Sequence, residues 1–427
     1  MNANGDTVKT GVFPTSVIEN TVHTASTGIN RMHVGLFVLC FLSSMLGGTV
    51  STLMSVYLPV AVRDLLGSRD AEQLNRISAY INALFIFGWA IGGFLWGVIS
   101  DRIGRKKSLL LAVACYGLAT SLTGLMHNWE SIVFCRFASG FGVGGVLVIS
   151  FTLLSEVWPE KSRAVFTGIL SIGIPVGIFS AGLINYIVSS WRQGFLVGLI
   201  PLALALLGTW LLEEPPNGSK QGENGRGHWT ADLFSAAHRR DLLIGSLTFG
   251  TMLIGLWAIF SWLPTWVQSL LSGHDAQKER GLSMMLMGMG GLTGGFVSGW
   301  FSKAIGNQRA MIACFAVCTL LSFLLFKTNS HFSGIVYTEI AVLAFFFGVS
   351  QGVLSIYIPH LFPRTLRATA TGFCFNIGRL FTGTAVLFVG VLVASLGGYG
   401  NAIFLFSLVF VVGLFAVLFL KHKPTTV

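Results

Sequence analysis

Long apolar runs alternate with short polar stretches along most of this chain. Each of twelve apolar segments holds about the 20 residues that a helix needs to cross about 30 Å of hydrocarbon. The pattern therefore predicts an all-α membrane protein with twelve transmembrane helices. Their predicted bounds are 34–62, 76–99, 108–127, 131–157, 164–188, 194–213, 241–270, 280–302, 309–327, 334–362, 368–394 and 400–420.

The polar stretches divide the chain into five parts. Residues 1–30 are polar and mixed without an apolar signal core, so we expect a flexible cytoplasmic tail there. The longest interruption, 214–240, is rich in glycine and predicts a cytoplasmic linker. It separates an N-terminal six-helix bundle at 31–213 from a C-terminal six-helix bundle at 241–420. A short cytoplasmic tail, 421–427, ends the chain.

The second half of the chain repeats two motifs of the first half. The Pro, Arg, Ala, Thr and Gly of 155–168 recur in 359–372, at an offset of 204 residues. The stretch 97–107 recurs in 299–309, at an offset of 202. Two similar halves in an apolar chain predict a transporter built from parallel repeats, with its substrate site between them near the bilayer midplane.

Composition and charge support the membrane assignment and set its orientation. The chain is 53% hydrophobic and 10% charged, with a mean hydropathy of +0.74, against about a quarter charged in soluble proteins. Of the 27 Lys and Arg residues, 18 fall on the side of the two termini, seven on the other side and two inside helices. The positive-inside rule then places both termini in the cytoplasm. This distribution accounts for the net charge of +10 without nucleic acid.

The stretch from Gly97 to Lys107 reads GVISDRIGRKK. It resembles the signature loop between helices 2 and 3 of the major facilitator superfamily, and the resemblance extends over residues 30–420. It implies two six-helix repeats that work by rocker-switch alternating access, without an enzymatic reaction. In the family this loop acts as a latch, so the resemblance assigns gating roles to Asp101 and Arg105. The second copy has Lys303 in place of the acid, which predicts a weaker latch in that half.

Arg379 is the sharpest candidate for substrate recognition. It lies about 16 Å into predicted helix 11, where an arginine costs at least about 2.5–3.5 kcal/mol unless it faces a cavity or a partner. Its guanidinium stays charged and its fork matches a carboxylate. The stretch from Phe362 to Arg379 resembles the branch of bacterial metabolite/proton symporters and organic-anion carriers, where an arginine at this place contacts the substrate. An ion pair with Glu339 or Glu156 is the structural alternative.

Helices 1, 2, 4, 5, 7, 8, 10 and 11 line the central cleft in the superfamily that this chain resembles. Polar and aromatic residues at mid-depth on these helices are therefore candidate substrate contacts, although each alone also suits packing. As a set around an arginine they suit a modest organic anion. Besides Arg379, the candidates are Asn376, Tyr357, Gln351, Tyr57, Tyr80, Asn82, Trp257 and Trp262.

A second group of polar residues clusters at the predicted cytoplasmic ends of helices 4, 5, 10 and 11. Their positions in the two copies of the repeated motif indicate contacts that open and close the cytoplasmic gate. For the histidine, which could titrate near neutral pH, a proton relay is the alternative. The candidates are Glu156, Arg163, His360 and Arg367.

Proton coupling is expected from the resemblance, with Glu339 and Arg136 as candidate residues. Arg136 lies about 8 Å into predicted helix 4, and a structural or gating role is its alternative. Close relatives often carry aspartates in helix 1, but Gly47 and Val50 stand at those positions here. Uniport, exchange and coupling through Glu339 therefore all stay open.

The sequence predicts a secondary active or facilitative transporter for a small carboxylate-type metabolite, in a bacterial inner membrane and working as a monomer. Two alternatives stay open: a multidrug or organic-cation/proton antiporter, and a sensor that no longer transports. No phosphate loop, metal-ligand spacing or nucleophile triad occurs, so we expect no enzyme activity, cofactor, metal or nucleic-acid partner. The expected partners are the anion, protons and the lipid bilayer.

Overall fold

The computed structural model describes residues 31–67, 70–211, 234–235, 238–271, 275–363 and 366–418. All regular structure in these ranges is helical. The predicted tails 1–30 and 421–427 and most of the predicted linker lie outside the described residues. The helices are α1 (Arg31–Leu66), α2 (Ala71–Ile103), α3 (Arg105–Thr123), α4 (Trp129–Val157), α5 (Glu160–Ser171 and Gly173–Ile187), α6 (Trp191–Gly194, a 3₁₀ turn at Phe195–Gly198, and Leu199–Leu211), α7 (Arg239–Leu270), α8 (Gln277–Ile305), α9 (Asn307–Phe323 with a π turn at Leu324–Thr328), α10 (Gly334–His360), α11 (Arg367–Leu392) and α12 (Tyr399–Ser407 and Val409–Leu418).

Ten of these helical segments are long and apolar enough to cross a membrane by length and composition. The remaining two, α3 and α8, complete the predicted twelve, as the directions of the neighbouring helices show. Gly88 of α2 lies against Phe137 of α4, and Gly92 lies against Phe141. The two helices are therefore parallel, and α3 has to return the chain across the bilayer between them.

The second half repeats this arrangement. Gly290 of α8 lies against Ala341 of α10, and Gly294 lies against Phe345, so α8 and α10 are also parallel. Gly104 between α2 and α3 and Gly306 between α8 and α9 both have positive φ angles, of 97° and 87°. Only glycine adopts such angles readily, which explains why both copies of the motif keep it. The predicted all-α fold with two six-helix repeats is confirmed.

Two predicted helices are interrupted because of proline. α5 breaks at Ile172, just before Pro175, which has no N–H to donate to the preceding turn. In α6, a 3₁₀ turn precedes Pro201 for the same reason. The predicted start of segment 5, residue 164, is four residues late, because α5 begins at Glu160 directly after Pro159.

The alternating helices give the molecule two faces. The terminal face carries the first residue of α1, the α2–α3 turn and the last residue of α12. The distal face carries the α1–α2 and α7–α8 connections. Contacts between helix ends agree with this assignment: Lys106 donates to the carbonyl of Thr209 at the terminal face, and Gln277 donates to the carbonyl of Asn185 at the distal face.

The two bundles are closed against each other toward the distal face. Across the α2–α11 seam, Gly390 lies against Ala79 near the distal face, and the contact extends past the middle of the helices to Gly93 and Asn376. Across the α5–α8 seam, Gly182 lies against Gly281.

Both seams open toward the terminal face. Four glycines continue the same helix faces there: Gly97 on α2, Gly372 on α11, Gly168 on α5 and Gly299 on α8. A Cβ added at any of them would meet no atom of the described chain within 4 Å. The helices of the two bundles therefore stand apart at these four positions on the terminal side of the seams.

Candidate functional site

Arg379 lies in the interior of the bilayer, on the face of α11 that meets α2. It follows the start of α11 by twelve residues, about 18 Å at 1.5 Å per residue. Its Nη1 donates to Oδ1 of Asn376 at 3.0 Å, because residues three apart share one helix face. Its guanidinium carbon lies 5.2 Å from the ring centre of Trp89 on α2, within cation–π range. The arginine is thus held by one neutral group from each bundle.

Gly93 makes the approach of α2 to Asn376 possible. A Cβ at Gly93 would lie 2.5 Å from Oδ1 of Asn376 and 3.3 Å from its Cγ. Trp89 and Gly93 are four residues apart, and so lie on the same face of α2. One side of α2 therefore contacts both residues of α11: Gly93 lies against Asn376, and Trp89 lies under Arg379.

The wall beside Arg379 is aromatic and comes from both bundles. Trp89 meets the edge of Trp257 of α7 with ring centres 5.1 Å apart, and Phe85 lies 6.0 Å from Trp89. Trp257 in turn packs 5.8 Å from Phe260. Trp89 and Trp257 are 5% and 8% exposed. A flat apolar wall next to a charged fork suits a small, flat organic anion.

The alternative ion pairs of Arg379 are not formed. Glu339 accepts a hydrogen bond of 2.7 Å from Nδ2 of Asn329, near the distal end of α10. Glu156 pairs with Arg105 at 3.1 Å at the terminal face. Arg379 is itself only partly buried, and the described part of the chain gives it no carboxylate partner. Within the described chain its charge is therefore not paired with an acid.

Arg136 is more deeply enclosed than the sequence predicts. It is 1% exposed, and its Nη1 donates to the carbonyl of Val50 at 3.1 Å. Its guanidinium carbon lies 4.1 Å from the ring centre of Phe85. Its Nε is buried without a hydrogen-bond partner in the described chain. Arg136 thus ties α4 to α1 and to the aromatic wall.

Three of the other predicted substrate contacts have structural partners. The Tyr57 hydroxyl donates to the carbonyl of Val188 at 2.7 Å, inside the first bundle. Trp262 is fully buried and donates to the carbonyl of Val386 at 3.1 Å, inside the second. Tyr80 packs 6.2 Å from Trp129 toward the distal end of α2. The structure does not bring these three side chains to Arg379.

Asn82 joins the two bundles, because its Nδ2 donates to the carbonyl of Ser261 on α7 at 3.2 Å. Gln351 and Tyr357 lie on α10 and are partly buried. The Nε2 of Gln351 is buried without a hydrogen-bond partner in the residues described, so it has a donor to offer. Of the predicted set, Asn376 contacts Arg379 directly and Trp257 reaches it through Trp89.

The predicted gating residues gather at the terminal face of the first bundle. Nη1 of Arg105 lies 2.5 Å from Asp101, and its Nη2 lies 3.1 Å from Glu156. These contacts tie α2, α3 and α4 together. At the equivalent place in the second bundle, Ser302 hydrogen-bonds Asn307. The first-half contacts are therefore ionic and the second-half contact is neutral.

The other predicted gating residues make local contacts. Arg163 donates through Nε and Nη2 to the carbonyl of Trp158, at 3.1 and 3.0 Å, and so holds the α4–α5 turn. His360 is exposed, and its Nδ1 lies 2.6 Å from the carbonyl of Ile356 one turn earlier. Arg367 begins α11, but its side chain lies outside the described residues.

Arg280 closes the distal face, which sequence reasoning did not predict. It is 1% exposed although it lies near a loop. Its Nε donates to the carbonyl of Val56 on α1 at 3.1 Å, and its Nη1 bonds Gln268 on α7. Asp275 lies 3.4 Å away. One arginine of the second bundle is thus bonded to the backbone of the first.

Trp89 and Gly93 are the other residues that sequence reasoning missed. Their spacing of four residues on a helix assigned to the cleft was an available signal. What they contact was not, because Asn376 and Arg379 are almost 300 residues away in the chain. No group of three or more His, Cys, Asp or Glu side chains that could hold a metal occurs in the described residues.

Known proteins resemble this chain over most of its length. It is 27% identical over 403 residues to the cis,cis-muconate transport protein of Acinetobacter baylyi, covering 91% of this chain and 94% of that protein. It is 27% identical over 398 residues to the gallate transporter of Pseudomonas putida, covering 85% and 86%. A putative niacin/nicotinamide transporter of Bacillus subtilis is 27% identical over 365 residues, covering 79% and 90%.

Solved structures show the same fold. The inward-open xylose transporter XylE of E. coli superposes with a TM-score of 0.75 at 17% identity, covering 92% of this chain and 97% of that one. A bacterial homologue of the human lysosomal transporter Spinster, in an inward-facing conformation, gives a TM-score of 0.73 at 16% identity, covering 91% and 97%.

The family model of the Major Facilitator Superfamily matches residues 36–381, well over half of the chain. The matched relatives are transporters, so the predictions of a transporter and of no enzyme activity are confirmed. The resemblance to carriers of organic metabolites is confirmed with them. The chain therefore belongs to the Major Facilitator Superfamily and is a multi-pass membrane transporter.

Proposed function

We propose that this protein carries a small organic anion across a bacterial inner membrane, with Arg379 as the group that binds the carboxylate. The observation that supports this most is a charged fork in the membrane interior whose two partners, Asn376 and Trp89, are both neutral. A buried or partly buried arginine without an acidic partner is expected to face an anionic ligand or a cavity.

The names of the relatives support the same substrate class. Muconate and gallate, the cargoes of two of them, are small unsaturated or aromatic carboxylates. Trp89 and Trp257 place apolar aromatic rings beside Arg379, a setting that would suit a flat carboxylate once the bundles part around these buried rings. The carboxylate would accept two parallel hydrogen bonds from the guanidinium, which fixes its orientation.

The proposal includes the side of the membrane toward which the two bundles stand apart. The terminal face carries most of the Lys and Arg residues in the loops, so the positive-inside rule makes it cytoplasmic. The separated seams at Gly97, Gly372, Gly168 and Gly299 would then face the cytoplasm, which supports assigning an inward-facing state. Transport would proceed by rocking residues 31–213 against 241–420, as one monomer, so that the seams close at the cytoplasm and part at the distal face.

Gating would use different contacts on the two sides. On the cytoplasmic side, Asp101, Arg105 and Glu156 keep the ends of α2, α3 and α4 together as one body. On the distal side, Arg280 and Asn82 bond across the two bundles. These distal bonds have to break before the cavity can open outward, so they favour the inward-open state.

The sequence places no carboxylate in the membrane interior that could carry a coupling proton. All 17 Asp and Glu residues lie within a few residues of predicted helix ends, or in the tail and linker. Glu339, the predicted coupling residue, is bonded to Asn329 near the distal face. Our proposal therefore assigns the substrate, and not a coupling proton, to the interior arginine.

A ligand thermal-shift panel tests this proposal on the purified protein. The panel holds cis,cis-muconate, gallate and nicotinate, neutral sugars and organic cations. A ligand at about 100 times its dissociation constant adds about 2.7 kcal/mol of stability. We expect carboxylates alone to stabilise the wild-type protein, and Arg379→Gln to abolish the effect.

Two further variants make the result specific. Arg379→Lys keeps the charge but lacks the planar fork, so it should retain only part of the shift. Arg76→Gln removes an exposed arginine on α2 and should change nothing. If sugars or cations stabilise the protein instead, or if Arg379→Gln binds carboxylates as the wild type does, the proposed function is wrong.

A further inference from the structure

We propose that this carrier is an anion exchanger: one organic anion leaves for each anion that enters, because the empty carrier changes state only slowly. This inference rests on the proposed function. It concerns the half of the cycle in which no substrate is bound, which the assignment of Arg379 as the binding group does not describe.

The interior of the protein carries two positive charges that meet only neutral groups in the described chain. Arg379 bonds Asn376 and lies over Trp89. Arg136 bonds the carbonyl of Val50 and lies over Phe85, and its Nε has no partner. Guanidinium groups do not lose their proton in proteins. Without a ligand, the interior therefore has a charge of about +2 that it cannot release.

The acidic residues that bond basic or amide groups lie at the two faces. Asp101 and Glu156 pair with Arg105 at the terminal face. Asp64 pairs with Arg192 at the distal face. Since all 17 acids of the sequence lie near helix ends or in the tail and linker, no acid from the middle of a span can neutralise the interior. An anion from solution can.

Changing state makes this charge costly. In the present state the side chain of Arg379 is still partly exposed. To switch, the seams at Gly97 and Gly299 have to close before those at the distal face open, which encloses Arg379 without solvent. The cost of an arginine in the bilayer centre corresponds to slowing on the order of 100-fold. A bound carboxylate removes much of that cost by pairing with the guanidinium.

The loaded carrier should therefore switch readily in both directions, whereas the empty carrier should switch slowly. That asymmetry is the kinetic definition of an exchanger. A carrier with a carboxylate beside its arginine could close empty, because the pair is neutral. In this chain the group at that place is the amide of Asn376, which accepts from Arg379 but carries no charge.

The experiment measures uptake of a radiolabelled carboxylate into proteoliposomes with the membrane potential held at zero. The probe is whichever of cis,cis-muconate, gallate and nicotinate stabilises the protein most. One vesicle population is loaded with the same unlabelled anion, and the other contains buffer alone. We expect initial uptake to be roughly tenfold or more faster into the loaded vesicles.

The outcomes separate this inference from the proposed function. Equal uptake into loaded and empty vesicles shows net transport, which overturns the exchange mechanism and leaves anion transport standing. Uptake into neither population contradicts the proposed function, and the exchange mechanism with it. Uptake that is faster into loaded vesicles than into empty ones supports both the exchange mechanism and the proposed anion transport.

A substitution at Asn376 tests the cause. Asn376→Asp places a carboxylate where the amide oxygen now lies, 3.0 Å from Arg379, with almost no change of shape. The pair is then neutral when the carrier is empty, so the ratio of loaded to empty uptake should fall toward one. Rates are taken at saturating anion, because the new carboxylate competes for Arg379.

The matched control is Asn401→Asp, which adds the same charge at the distal face. Asn401 accepts from Lys327 at 2.9 Å, a contact that aspartate keeps. Its ratio should equal that of the wild type. If Asn376→Asp also keeps the wild-type ratio, the charge of Arg379 is not the cause of slow return. Should Asn376→Asp fail to fold, the wild-type comparison still decides for or against exchange.

Discussion

Gly93→Ala should weaken anion binding although Gly93 itself contacts no ligand in our proposal. The new Cβ would lie 2.5 Å from Oδ1 of Asn376, where ordinary contacts begin at 3.4 Å. Asn376 or α2 therefore has to move by about 0.9 Å. The hydrogen bond from Arg379, now 3.0 Å long, would then be lost or misdirected.

The expected magnitude follows from that bond. A hydrogen bond to a charged group contributes about 1.5–3 kcal/mol, and an overpacked contact costs about 1–3 kcal/mol. We expect the KM for the carboxylate to rise about tenfold or more, with a smaller change in the maximal rate. The assay is uptake into anion-loaded proteoliposomes over a range of substrate concentrations.

Gly97→Ala is the matched control for this prediction. Gly97 lies one turn further along the same helix, and its added Cβ would meet nothing within 4 Å in the described chain. Both substitutions gain about the same helix propensity, so only the contact with Asn376 differs between them. Because the seam at Gly97 closes later in the transport cycle, this control is compared by ligand binding in the thermal-shift assay, where Gly97→Ala should leave the dissociation constant within about twofold of the wild-type value.

A double-mutant cycle tests whether the effect passes through Asn376. If it does, Gly93→Ala should have little further effect in a protein that already carries Asn376→Ala, because the clashing amide is gone. Fully additive effects of the two substitutions would refute the reasoning. An unchanged KM in a Gly93→Ala protein that folds normally would also refute the reasoning.

Two predictions concern residues outside the immediate site. Arg280→Gln removes the charged bond to the carbonyl of Val56, so labelling of an Ala79→Cys reporter, buried against Gly390 in the α2–α11 seam, by a membrane-impermeant maleimide should rise about tenfold. Unchanged labelling would mean that Arg280 does not hold the distal face closed. Tyr57→Phe removes the hydrogen bond to Val188 and should cost about 1 kcal/mol in thermal unfolding without changing the KM. A large change in KM would instead indicate that Tyr57 contacts the substrate.

The twelve-helix topology could be predicted because its signal is local. Each apolar run is long enough to cross the bilayer, and the two copies of the motif fix where the halves begin. The breaks in α5 and α6 follow from Pro175 and Pro201, but a hydropathy pattern does not show them. Such breaks depend on individual backbone N–H groups, which leave no trace in average apolarity.

Arg379 could be found in the sequence because a charge inside an apolar run has a large cost that requires an explanation. Its surroundings could not be found. Trp89 and Gly93 lie on the other bundle, and contacts between bundles follow no helical period. Arg280 was counted as a loop cation, since the predicted span started there. In the structure α8 begins at Gln277, so Arg280 lies in its first turn, where its bonds to Val56 and Gln268 leave it 1% exposed.

Residues chosen for chemistry alone divided into two groups. Asn376 and Trp257 lie at or beside Arg379, whereas Tyr57 and Trp262 use their polar atoms within their own bundles. Depth and residue type were similar in both groups. What separated them was the direction of each side chain around its helix, which depends on how the helices pack.

The central claim is that Arg379 recognises the charge of a carboxylate, and one transport measurement tests it most directly. Uptake of the best-bound carboxylate and of its primary amide, which has nearly the same shape without the charge, is compared in anion-loaded proteoliposomes for wild type and Arg379→Gln. We predict that the wild type carries the acid about tenfold or more faster than the amide, and that Arg379→Gln lowers the acid to the rate of the amide. Equal rates for acid and amide in the wild type, or a preference for the acid that survives Arg379→Gln, would contradict the claim.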